Sequence, residues 1–136
     1  MAITSFWIKN YQSVIDNGRT DAVLMDLPPG KNGDDYGATA LEFAVMALAG
    51  CVTTIFMVVA KAMHIEDQIE SLQAVVDYQK PDEAPTITVA DIKVTVKSPV
   101  DEKKLSRCLD KALDMCPVGK LFEQAGIKMD HVLIKE

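Results

Sequence analysis

The sequence predicts an α+β domain, and three observations carry that prediction. Strand-like stretches stand near both ends of the 136-residue chain and as a pair in its middle. A run from residue 43 to residue 60 carries no charge, which is too long for a strand and suits one buried helix. Helical periodicity then follows the middle pair, giving the order ββ-α-ββ-αα-β. With 49% hydrophobic residues, residues 1–136 read as one domain that can bury a core without metal or disulfide staples.

Residues 3–8 and 22–27 are rich in β-formers, and Asn17-Gly18-Arg19-Thr20-Asp21 between them has turn chemistry, which predicts an N-terminal hairpin. Pro28-Pro29-Gly30 ends it. Residues 31–37, polar and glycine-containing, predict a mobile loop, and Gly30-Lys31 lacks the flanking residues of a phosphate-binding loop. Thr39-Ala40-Leu41-Glu42 matches a capping box, so a long helix should start near Ala40 and run to about Met63, roughly 24 residues or about 36 Å. Its apolar character on all sides predicts that protein surrounds it.

Residues 68–78 and 87–97 predict an antiparallel pair with one wet face. In the second, Ile87 and Val89 are out of phase with Ile92, Val94 and Val96, which predicts a bulge near Ala90. Leu105, Cys108, Leu109, Ala112, Leu113 and Cys116 recur at helical spacing after Ser98-Pro99 and define a buried stripe. Pro117 breaks that helix and can open the next, from Val118 to Gln124, with Gly126 as its cap. A strand over residues 127–134 completes the order.

The formal net charge of −6 and the lack of a basic stripe argue against nucleic acid as a partner. Three cysteines leave one over in any disulfide scheme, and no CxxC or Cys/His spacing suggests a metal site. The N-terminal residues lack signal-peptide character, so the chain reads as cytoplasmic. The uncharged run reaches the lower length of a membrane span, but Gly50, Thr53 and Thr54 within it and the absence of flanking basic clusters favour a buried helix over a membrane.

Chemistry concentrates on the thiols. Cys108 is core by position, and Cys51, within the apolar helix, would by itself be structural. Cys116 differs, because its sulfur can face the unpaired amides of the helix that Pro117 opens, a setting that lowers a thiol pKa. If the fold brings Cys51 and Cys116 together, they make a redox pair. His64 and His131 are given no catalytic role, and Met46, Met57 and Met63 read as core filling or as the lining of an apolar pocket.

Glu42-Phe43 leading through Leu48-Ala49-Gly50-Cys51, followed by Cys116-Pro117-Val118, resembles the OsmC/Ohr family of osmotically induced and organic-hydroperoxide-resistance proteins. Asp26-Leu27-Pro28 and the element order extend the likeness over nearly the whole chain. The resemblance implies an OsmC-like fold, with antiparallel sheets wrapped around a long central helix in an intertwined homodimer that carries two sites at its interface, each with a Cys51 and Cys116 pair. It implies a thiol peroxidase in which Cys51 attacks an organic hydroperoxide and Cys116 resolves the sulfenic acid as a disulfide, reset by a dithiol reductant without a cofactor. Arg19 matches the family's arginine from the early hairpin turn, which stabilises the thiolate.

Glu42 is the candidate for the glutamate that orients this arginine. The well-defined peroxidase branches carry that glutamate one helical position earlier, where this chain has Leu41, so Glu42 stands open between a site role and a helix cap. Ala40 stands where many members have proline, and Gly119-Lys120 follow the second motif where other residues are common, which resembles the broader OsmC-like branch. Two other functions remain open, a noncatalytic homodimer that binds a small hydrophobic or thiol-bearing ligand, and a thiol redox sensor.

Overall fold

The computed structural model describes residues 1–136, which divide into two compact units, Met1–Ala44 and Val45–Glu136. In the first unit, β1 (Thr4–Lys9), β2 (Gln12–Asp16) and β3 (Val23–Met25) form an antiparallel sheet in the order β1-β2-β3. The expected hairpin thus has a third strand in its middle. Asn10, at φ +47°, permits a reversal that a simple reading of β-formers misses, and the Trp7 indole N–H donates to the Asn10 carbonyl across it at 2.8 Å. The Asn17 to Asp21 segment does turn the chain, but it joins β2 to β3, with the Asn17 side-chain oxygen accepting the Arg19 and Thr20 amides at 2.9 Å each.

The loop expected to be mobile is organised around a buried carboxylate. Asp26, only 2% exposed, accepts the amides of Leu27, Asp34 and Tyr36 at 2.7, 3.2 and 3.1 Å. Gln12 and Asn10 donate to the Asp34 carboxylate from the neighbouring turn and strand. Gly33 completes the fit, since a Cβ there would overlap the Leu27 carbonyl. The bonds from Asn10 and Gln12 to Asp34 run between residues 24 and 22 apart in sequence, and composition alone, which suggested mobility, does not register such partners.

α1 (Ala40–Ala62) begins with the predicted capping box: Thr39 Oγ1 accepts the Glu42 amide at 3.1 Å, and Glu42 Oε2 accepts the Thr39 amide at 2.8 Å. At its far end His64 adopts φ +57°, and the Ile65 amide reaches back to the Ala60 carbonyl at 3.0 Å, closing the helix in the manner usually given to glycine. Of α1, only the stripe Val45, Leu48, Val52, Phe56, Val59 and Ala60 is buried. Met46, Ala47, Gly50, Thr54 and Val58 on the other side are exposed, so this chain alone does not surround the helix as expected.

In the second unit β4 (Ser71–Gln79) and β5 (Val89–Lys97) pair antiparallel in unbroken register from Ser71 opposite Lys97 to Gln79 opposite Val89. The expected bulge near Ala90 is therefore absent. Ala90, Ile92, Val94 and Val96 all point inward, and the phase change arises because Ile87 lies before the strand. α2 (Glu102–Met115) and α3 (Pro117–Gln124) lead to β6 (Lys128–Lys135), which pairs parallel to β5. The α+β class stands, but this pair departs from the expected all-antiparallel sheets, because a connection through two helices is long enough for a parallel return.

The core of this unit joins the α1 stripe, the inward residues of β5, and Leu105, Cys108, Leu109 and Ala112 of α2. The Cys108 thiol donates to the Phe56 carbonyl at 3.5 Å, tying α2 to α1, and burial pushes that thiol up to about 11. Cys108 is thus the structural cysteine that its spacing predicted.

Candidate functional site

Cys51 and Cys116 meet within the second unit, 65 residues apart in sequence and 2.7 Å apart sulfur to sulfur. α1 supplies Cys51 from its middle, on the flank of its buried stripe, so the thiol is partly exposed. Cys116 is fully buried at the junction of α2 and α3. The sequence causes that junction: Pro117 cannot continue α2 but is preorganised for the first position of a new helix, which leaves Cys116 as the N-cap of α3.

As N-cap, the Cys116 sulfur accepts the Gly119 amide at 3.3 Å while its thiol donates to Cys51 Sγ. Helix-start placement was expected to acidify this thiol. The balance goes the other way: burial, followed by the hydrogen bond to Cys51, pushes Cys116 up to about 11, against the pull of the Gly119 and Val118 amides. Cys116 is therefore a protonated thiol at neutral pH. The arrangement can close a disulfide with little movement, since the S–S bond length is about 2.05 Å.

The other two sequence candidates lie in the first unit. Arg19 stands on the exposed β2–β3 turn, and its guanidinium forms no ion pair within the chain. Glu42 caps α1, with no cation beside its carboxylate. The structure thus brings the two cysteines together and does not join Arg19 to Glu42. The amides that Cys116-Pro117 led one to expect at the sulfur are those of Val118 and Gly119; sequence reasoning gave no role to Asp26.

No three His, Cys, Asp or Glu side chains are grouped to hold a metal ion. A cavity of about 510 Å³ lies between α2, α3 and β6, lined by Asp110, Leu113, Asp114, Lys120 and His131 among others. It holds neither thiol, touching their surroundings only at Gly119. Much of its polar rim is internally paired, His131 with Asp110 and Lys120 with Glu123, each at 3.1 Å.

The family model described as OsmC-like protein matches residues 32–132. Among solved structures, the chain is similar to a proposed osmotic-stress-induced and detoxification response protein of Psychrobacter arcticus 273-4, at 19% identity and a TM-score of 0.84, covering 98% of this chain and 95% of that one. It is similar to an OsmC-like protein of Mycoplasma pneumoniae, at 16% identity and a TM-score of 0.83, covering 98% and 96%. An organic hydroperoxide resistance protein of Legionella pneumophila shares the fold at 12% identity and a TM-score of 0.71, covering 98% and 95%. At these identities the likeness shows the fold alone. No curated protein matches the chain.

Proposed function

We propose, from the premise that the chain belongs to the OsmC-like protein family, that it is a thiol peroxidase that reduces organic hydroperoxides at the Cys51 and Cys116 pair. The carrying observation is the 2.7 Å separation of two sulfurs from distant segments, one accessible and one buried. Cys51 as thiolate attacks the hydroperoxide, breaking the O–O bond, releasing the alcohol and becoming a sulfenic acid. The Cys116 thiol then condenses with it, losing water and forming the disulfide. A dithiol reductant resets the pair. In this proposal the protein works as a cytoplasmic homodimer, with Arg19 as the cation that supports the Cys51 thiolate, and Glu42 either orients that cation or only caps α1. The apolar face of α1 around Cys51 favours an organic over an inorganic peroxide.

Exposure of reduced protein to a slight excess of cumene hydroperoxide should give one intrachain bond between Cys51 and Cys116, with Cys108 free, and turnover with a dithiol. Cys116→Ser should stop at a trappable sulfenic acid on Cys51, whereas Cys51→Ser should leave no fast peroxide-reactive thiol. Peptide maps with Cys108 in the bond, or normal turnover by Cys51→Ser, would sink the assignment.

A further inference from the structure

We infer that the Cys51–Cys116 disulfide is opened from the Cys51 side, with Cys116 leaving as a thiolate into the amides that begin α3. The inference deepens the peroxidase reading and takes its redox cycle from it, but the order of the sulfurs comes from burial and hydrogen bonding. Cys51 is partly exposed, and Cys116 has no exposed surface. Any opening that admits a hydroperoxide to Cys51 also admits a thiol. Cys116 is closed in by its partner sulfur at 2.7 Å and by the start of α3, whose Gly119 amide lies 3.3 Å from Sγ.

The departing sulfur also has donors already in place. The Gly119 amide lies 3.3 Å from Cys116 Sγ, and the Val118 amide favours its charged form as well. Burial works against this by holding the free Cys116 thiol near 11, which makes it a poorer leaving group. A higher thiol pKa slows departure, but which sulfur is attacked is set by access, and a sulfur without exposed surface cannot be reached by the incoming thiolate.

The step balances. One thiolate of the reductant bonds to Cys51 Sγ as the S–S bond breaks, and the electron pair leaves on Cys116. Cys116 takes the proton of the reductant's second thiol, which then attacks its own partner sulfur, releasing Cys51 as thiolate and leaving the reductant as a cyclic disulfide. Two electrons pass from the dithiol to the protein.

The test forms the disulfide with diamide rather than with peroxide, so that a protein without peroxidase activity would still report the order of the sulfurs. Excess β-mercaptoethanol is added, the reaction is quenched early in acid, and the mixed disulfide is mapped by mass spectrometry. The adduct should favour Cys51 over Cys116 by at least about tenfold. In parallel, methyl methanethiosulfonate should label Cys51 in Cys116→Ser at least about tenfold faster than it labels Cys116 in Cys51→Ser. An adduct shared equally or found mainly on Cys116, equal labelling rates, or failure of diamide to form the bond would overturn the inference. Loss of hydroperoxide reduction alone would overturn the proposed function and leave this order standing.

Discussion

At Cys116 two opposing effects act on one sulfur, and their relative size sets its chemistry. The amides that open α3 favour a thiolate, but removal of the sulfur from water outweighs them and leaves a protonated thiol. Cys116-Pro117 made the helix-start geometry legible in the sequence; depth of burial, which reverses its expected effect, depends on packing against α1 and was not. Arg19 poses the complementary question, since a sulfur in the middle of a helix has no dipole to stabilise its anion and needs a cation from elsewhere. Stopped-flow measurement of peroxide attack on Cys51 should show Arg19→Ala slowed by at least tenfold, about 1.4 kcal/mol in the barrier. A wild-type rate would make Arg19 an ordinary turn residue and favour the noncatalytic binding function.

At the scale of elements, the parts legible in the sequence were those fixed by local chemistry. The Thr39 and Glu42 box placed the start of α1, and Pro117 placed the start of α3. The parallel pairing of β6 and the bonds that Asn10 and Gln12 make to Asp34 depend on partners distant in sequence, whereas β2 depends on the tight reversal at Asn10, which β-former content does not mark. Glu42→Gln separates the two roles of its side chain: the amide oxygen still accepts from Thr39, so stability should hardly change, whereas Glu42→Ala loses that hydrogen bond and should cost about 0.5–1.5 kcal/mol in denaturant unfolding. A drop in peroxidase rate with Glu42→Gln at unchanged stability would assign the carboxylate to the site as well. For Asp26, three amide hydrogen bonds outweigh burial and hold the folded carboxylate below its ordinary value of 3.8. Its stabilisation is therefore fully present above the unfolded value and is lost as pH falls through the lower folded one. Asp26→Asn should lower the melting temperature at neutral pH and lessen the dependence of stability on pH in that acidic range; an unchanged acid profile would remove Asp26 from the account.

At the scale of the whole molecule, the uncovered side of α1 needs an occupant. Only 33% of its most apolar stretch is buried by this chain, and Val58 is 50% exposed. By length and composition alone α1 could also cross a membrane. A second copy of the chain accounts for the same surface within the proposed function, and the two occupants predict different behaviour. Light scattering at micromolar concentration should give the mass of a dimer without detergent, and the protein should stay in the supernatant when liposomes are pelleted. Val58→Glu provides the sharper contrast: on a free surface it should be nearly neutral, whereas in an apolar interface it buries an unpaired carboxylate and should shift the protein toward monomer. If the wild type is a stable monomer, or Val58→Glu remains dimeric with unchanged affinity, this face of α1 is not the subunit interface; co-sedimentation with liposomes would instead point to the membrane.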